Sequence, residues 1–331
     1  MSSSEESTQG ITPEQVPSPT GIVVGIDGSE QSDCALIWAA REAESRKIPL
    51  HLVTAYTVPI FAASGLDGGY ATVDDDVIRQ GAEAVLREAA AKVPNITVPM
   101  DARVENGDAA GVLLELSETA ELLVFGSRGR GGFIGRLLGS VSTALPAHAK
   151  CPTVTIPRSC AARLAEGSEQ AAKVEKVVVV GVDGSDQARY AVLVAAEQAE
   201  RSGSSLRIVC AVQPYTGTLA WMPAPVDREA LFAEIQTQLD AGEKWLRSHF
   251  PKLPIEVQLL EGSAVDALVK ATETAELVVM GTRGRGGFAG MMLGSTTDGV
   301  RHHAKGPIMV VRDLEDPRQG DRSAFGPLLQ A

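Results

Sequence analysis

One segment of this chain is written twice. Residues 124–142 read "VFGSRGRGGFIGRLLGSVS" and residues 279–297 read "VMGTRGRGGFAGMMLGSTT". The likeness continues upstream, where "GIVVGIDGSEQSDCALIWAAREAESRKIPLHLVTAY" at 21–56 matches "KVVVVGVDGSDQARYAVLVAAEQAERSGSSLRIVCAV" at 176–212. Asp27 and Asp183 stand 156 residues apart, whereas Gly126 and Gly281, Gly139 and Gly294, and Pro152 and Pro307 stand 155 apart. A net one-residue difference therefore lies between the two sets. A repeat of about 140 residues is too long for a solenoid unit and has the size of a whole domain. The 331 residues must fold as two copies of one architecture.

Each copy alternates strand and helix. "IVVGID" is an apolar run bounded by glycine, the pattern of a buried strand. "SDCALIWAAREAESRK" carries Ala35, Trp38, Ala39 and Ala43 on one helical face, with Ser29 or Ser32 as its cap. "LHLVTAY" is a second strand. Helices follow over 74–92 and 226–249. "ITVPMDARVE" and "IEVQLLE" are third strands, the first turned toward an edge by Pro99. "ELLVFG" and "ELVVMG" are fourth strands, and "CPTVTIP" and "GPIMVVR" are fifth. Five strands joined by helices predict an α/β fold: two tandem, doubly wound, parallel sheets. The domains are expected over 20–157 and 176–312, with a polar, Ala-rich linker at 158–175 that has room for a helical turn. Residues 1–19 and 313–331 read as loose tails. Pro146 falls within the short fourth helix of the first copy, so that helix either starts late or kinks.

Composition narrows the functional classes. The net charge of −12 disfavours a nucleic-acid footprint, and no apolar run approaches the roughly 20 residues of a membrane span. No basic, apolar leader opens the sequence, so cytoplasmic residence is the expectation. Cys34, Cys151, Cys160 and Cys210 form no CxxC pair. They read as reduced thiols, three in the core and Cys160 in the linker. His51, His148, His249, His302 and His303 make no catalytic triad, and the last helical turn accounts for three of them.

The repeated loop is the informative feature. It leaves the carboxyl end of the fourth strand, where doubly wound sheets bind ligands. Its spacing is Gly126-x2-Gly129-x9-Gly139-Ser140 in one copy and Gly281-x2-Gly284-x9-Gly294-Ser295 in the other. Glycines let main-chain amides approach an anion, and Gly-Ser then opens a helix whose dipole favours negative charge. Arg128, Arg130 and Arg136 add cations in the first copy. The second keeps Arg283 and Arg285 but has Met291 opposite Arg136, which predicts tighter phosphate binding in the first copy. Asp27 and Asp183, each ending a first strand before Gly-Ser, are either helix-turn aspartates or contacts to a ribose or base.

Together the Gly-x2-Gly-x9-Gly-Ser loop, "GIDGS" and "GVDGS" after strand one, and "HAKCP" and "HAKGP" before strand five resemble the universal stress protein family in its tandem form. The resemblance covers all but tails and linker. It implies strand order 3-2-1-4-5 and adenine-nucleotide binding. Adenine and ribose contacts would fall to Asp27 and Ala55, and to Asp183 and Ala211. Phosphate contacts would fall to Gly126, Gly129, Gly139, Ser140 and Ser142, and to Gly281, Gly284, Gly294, Ser295 and Thr297. ATP is the implied ligand, with Mg²⁺ bridging its phosphates rather than held by side chains. The family pairs through strand five, which a tandem chain can do internally; a homodimer is also open. The expected role is a stress-response regulator rather than a dedicated enzyme, with slow ATP hydrolysis open.

Rival readings are weaker. Gly284-x-Gly286-x-x-Ala289 fits a dinucleotide fingerprint but follows strand four rather than strand one, and Ile134 breaks it in the first copy. No Gly-x4-Gly-Lys-[Ser/Thr] loop is present. Glu105 and Glu261 stand near where a receiver domain needs a phosphorylatable aspartate. A dimerisation scaffold that binds no nucleotide is the remaining alternative.

Overall fold

The computed structural model describes residues 20–58, 60–61, 71–72, 74–129, 138–164, 167–213, 227–285 and 293–328. In the first half, β1 (Ile22–Gly25), β2 (Leu50–Tyr56), β3 (Met100–Asn106), β4 (Leu122–Gly126) and β5 (Thr153–Ile156) alternate with α1 (Glu30–Arg46), α2 (Asp75–Ala90), α3 (Ala109–Leu116) and α4 (Ser140–His148). A connection follows with two four-residue helical turns, α5 (Ala161–Leu164) and α6 (Glu169–Ala172). The second half repeats the pattern with β6 (Glu175–Val182), α7 (Asp186–Ser202), β7 (Ser205–Val212), α8 (Arg228–His249), β8 (Ile255–Glu261), α9 (Ala264–Ala271), β9 (Ala275–Gly281), α10 (Ser295–His303) and β10 (Ile308–Val311).

The strands form one ten-stranded sheet in the order β8-β7-β6-β9-β10-β5-β4-β1-β2-β3. Within each half every pair of this sheet is parallel and the order is 3-2-1-4-5, as the family resemblance implies; a separate two-residue pair, Ile60–Phe61 with Ala71–Thr72, is antiparallel. The halves meet where β5 and β10 pair antiparallel, with Val154 opposite Met309. β3 is an edge strand, with Pro99 just before it. β1 and β4 are buried on both faces, which explains their unbroken apolar runs; β5 is buried too but carries Thr153 and Thr155.

The two faces of the sheet are covered differently. One carries α1, α2, α7 and α8 over a single core that joins Leu36, Trp38 and Val154 to Leu193, Trp245 and Met309. The other carries two separate cores, one around Leu113, Phe125 and Leu145, the other around Leu268, Met280 and Val300. On the shared face a buried polar bridge links the halves: Gln198 Nε2 donates to Glu42 Oε2 at 2.6 Å.

Local chemistry sets the helix ends. Ser29 and Ser185 cap α1 and α7, accepting from Ser32 N and Ala188 N. α7 ends at Gly203 with φ 66°, whereas α1 ends at Lys47 with φ 58°, a left-handed conformation that costs a side-chain-bearing residue. Pro146 neither delays α4 nor ends it. The helix starts at Ser140 and the proline sits inside its second half.

Two expectations need correction. Residues 313–328 are not loose. A 3₁₀ segment over Pro317–Phe325 packs on α8. Trp245 Nε1 donates to Asp321 Oδ1 at 2.6 Å, and Arg322, only 6% exposed, donates to Gln238 O. The two prolines and two glycines suggested looseness, but Arg318, Asp321 and Arg322 supply the ties. Cys160, expected in the linker and apart from the three core thiols, lies in the connection but is a core residue as well. It is fully buried in the shared core, and burial pushes its pKa up to about 12. Cys151 and Cys210 are pushed up to about 12 and about 11 for the same reason.

Candidate functional site

Each half has one cleft at the carboxyl ends of its strands, between the first and fourth, where strand order reverses. The first encloses about 410 Å³ and the second about 440 Å³. All seven residues singled out in the first copy line one cavity: Asp27, Ala55, Gly126, Gly129, Gly139, Ser140 and Ser142. The seven of the second copy, Asp183, Ala211, Gly281, Gly284, Gly294, Ser295 and Thr297, line the other. Arg128 faces the first cleft, and Arg283 and Arg285 the second. Arg130 lies outside the described residues, as do Arg136 and Met291, on which the expected difference in affinity rested.

The glycines do different work. A Cβ on Gly126 would come within 2.8 Å of Gln31 Cβ, so this glycine lets α1 approach the end of β4. Gly281 meets Gln187 in the same way. A Cβ on Gly129 would collide with Asp27 Oδ2, and one on Gly284 with Asp183 Oδ2. These two glycines therefore make room for the aspartate as well as for any anion. Gly139 is different: its nearest neighbours to a Cβ are Ser142 Oγ at 3.8 Å and Arg128 Cα and Gly129 N at 3.9 Å. The fold tolerates a side chain there, pointing across the loop.

Asp27 also shapes the turn. Its Oδ1 accepts from Ser29 N at 3.0 Å and Ser29 Oγ at 2.6 Å. Asp183 repeats this with Ser185 at 3.0 and 2.7 Å, and its Oδ2 also accepts from Arg285 N at 2.8 Å. Each aspartate thus braces its helix turn and borders the cleft at once. Ser142 and Thr297 are buried, and their hydroxyl protons are engaged. Ser142 Oγ donates to Ser127 O at 2.9 Å, and Thr297 Oγ1 to Gly281 O at 2.8 Å. They tie the loop to the helix, while Ser140 and Ser295 stand exposed at the mouth.

Gln31 and Gln187 went unnoticed in the sequence. Gln187 Oε1 accepts from Arg283 N at 2.7 Å, holding the loop in register. The identity of Gln31 and Gln187 between the copies, in a first helical turn, was the available signal.

The start of α4 and of α10 is the most telling detail. Among the described helices of eight or more residues, α1, α2, α3, α7, α8 and α9 each begin with a Ser or Asp side chain capping a main-chain amide. α4 and α10 begin at Gly139 and Gly294 with no side-chain cap. The first turns of these two helices line the clefts instead, through Ser140, Val141 and Ser142 in one and Ser295, Thr296 and Thr297 in the other.

In doubly wound domains ligands bind in the crevice at the switch point, which is where both glycine-lined clefts lie. The sequence profile of the Universal stress protein family matches residues 20–157 and 175–312, and the chain belongs to that family. It is similar to the universal stress protein Rv2623 of Mycobacterium tuberculosis, 34% identical over 311 residues, covering 89% of this chain and 97% of that one. The crystal structure of a universal stress protein from Archaeoglobus fulgidus shares the fold, with a TM-score of 0.61 and 20% identity over 89% of this chain and 98% of that chain. A universal stress protein solved in complex with cAMP matches 42% of this chain and 97% of its own, at 27% identity and a TM-score of 0.33, too slight a likeness to argue from.

Among the described residues no helix is long and apolar enough to cross a membrane.

Proposed function

We propose that each cleft binds an adenine nucleotide, ATP in the first instance, and that the chain is a nucleotide-binding regulator in stress responses. The observation that carries this reading is the pair of uncapped helix starts, at Gly139 and Gly294, each facing a cavity of ligand size. Free amides at a helix N-terminus favour phosphate, and the adjacent arginines add charge. Three or four charge-assisted hydrogen bonds of about 1.5–3 kcal/mol each offset association costs enough for micromolar affinity, about −8 kcal/mol. Asp27 and Asp183, with Ala55 and Ala211, border the end of the cleft assigned to ribose and adenine. Ser140 and Ser295 add hydroxyl donors at the phosphates.

Mg²⁺ enters only as a counter-ion carried by those phosphates; no side-chain ligand set is assigned to it. The domains are taken as 20–157 and 176–312, and each half serves as the other's pairing partner through β5 and β10.

The test is calorimetry on protein unfolded, stripped of nucleotide and refolded. Binding of ATP with two sites per chain is expected. At 100 times the dissociation constant, each site should add about 2.7 kcal/mol of stability. Stripped protein that neither takes up ATP nor gains stability would replace this reading with the scaffold.

A further inference from the structure

The two halves do not hold each other symmetrically. Pro146 in α4 and Arg301 in α10 occupy equivalent positions, 155 residues apart like Gly139 and Gly294. Proline has no N–H, so the Ser142 carbonyl, four residues back, loses its partner within the helix. Arg301 supplies the replacement. Its Nη2 donates across the interface to Ser142 O. Its Nη1 donates to Asp298 Oδ1 at 2.9 Å, and its side chain is 1% exposed. A buried guanidinium is costly, and burial pulls its pKa down; its two Nη atoms have these partners, while Nε, also buried, has none among the described residues.

The pattern repeats at the other end of α4. Pro157 and Arg312 are again equivalent positions, 155 apart. Arg312 Nη1 donates to His148 O at 3.3 Å and Ala149 O at 3.2 Å, where α4 ends. Two arginines of the second half thus hold both ends of a helix of the first. The equivalent positions in the first half are prolines, which donate nothing back.

Ser142 joins this clamp to the cleft. Its hydroxyl donates to Ser127 O and lies 3.0 Å from Gly139 O, spanning the two ends of the glycine loop. We propose that Arg301 is a positioning residue for the first cleft: it replaces the hydrogen bond lost at Pro146, and so makes nucleotide binding in the first half depend on the second. Pro146 and Pro157 cannot return such bonds to α10, beyond whose end Ser159 Oγ of the connection donates to Lys305 O at 2.9 Å. This dependence rests on the nucleotide reading above, but the state of α4 can be read without ligand.

The test uses the full chain with Arg301→Met, Pro146→Ala, and both together, followed by hydrogen exchange with and without 1 mM ATP. Arg301→Met should speed exchange of the α4 amides about tenfold, the value of roughly one hydrogen bond. It should also weaken ATP protection of residues 138–145 while leaving 293–300 protected. Pro146→Ala restores the missing N–H, so the double variant should return α4 exchange to within about twofold of the parent, a rescue that general destabilisation would not give. Unchanged α4 exchange in Arg301→Met, or a double variant no better than the single, overturns the clamp. If the parent shows no ATP protection in either cleft, the nucleotide reading fails, and the ligand-free exchange still decides whether the clamp exists.

Discussion

The two clefts are near copies in what they offer a ligand and unlike in what holds them. Both have an uncapped helix start, a glycine that accommodates an aspartate, and a hydroxyl tying loop to helix. Their supports differ. The first relies on arginines from the other half. The second has a tail strapped across α8. After duplication, the main-chain geometry of a cleft can stay while the scaffold around it diverges, because glycine spacing tolerates little change and a side-chain prop has many substitutes.

The largest effect expected is confined to the second half. Truncation after Arg312 removes the partners of Trp245 and Arg318's links to Asp316 and Glu197. A buried Trp loses cover, so a loss of about 2–4 kcal/mol is expected. Limited proteolysis should show cleavage beginning in residues 227–285 with the first half intact; equal sensitivity of both halves would erase the contrast.

Next come the paired glycines. Gly129→Ala and Gly284→Ala each drive a methyl into an aspartate carboxylate and should cost about 1–3 kcal/mol in denaturant titrations. Gly139→Ala should leave stability within about 0.5 kcal/mol, since its Cβ has 3.8 Å of clearance, yet weaken ATP binding to the first cleft roughly tenfold. Calorimetry that finds parental affinity in Gly139→Ala would mean the amides beside it do not meet the ligand.

Asp27→Asn separates the aspartate's two tasks. The amide oxygen still accepts from Ser29, so stability should fall by under about 1 kcal/mol, while any contact that needs the carboxylate is weakened. Asp27→Ala should lose both. The smallest change expected is a gain: Lys47→Gly, matching Gly203, should stabilise the chain by about 0.5–1 kcal/mol. A lower midpoint would show that the Lys47 side chain earns its place by contacts.

Much of this could be read from the chain itself. A parallel, doubly wound sheet followed from five apolar segments with helices between, and the glycine loop from a spacing written twice; strand order and the places of Ala55 and Ala211 came only with the family resemblance. Side-chain reach was not legible. Nothing in the pattern around Pro146 points to an arginine 155 residues away, because hydrogen-bond partners across a sheet leave no local period. The tail failed for a related reason: turn-forming residues describe the backbone, whereas Arg318, Asp321 and Arg322 fasten it. The turn role of Asp27 and a contact to ribose or base were weighed as rivals, yet the carboxylate that braces the turn through Oδ1 also lines the cleft, so the first does not exclude the second.

The antiparallel meeting of β5 and β10 has a consequence for access. Strands of the two halves end on opposite margins of one sheet, so the two mouths are on opposite margins too. Neither a nucleotide nor a small docking peptide can plug both at once. Any message from one occupant to the other must pass through the protein's interior, and a binding partner that reads only one mouth sees half of the chain's state.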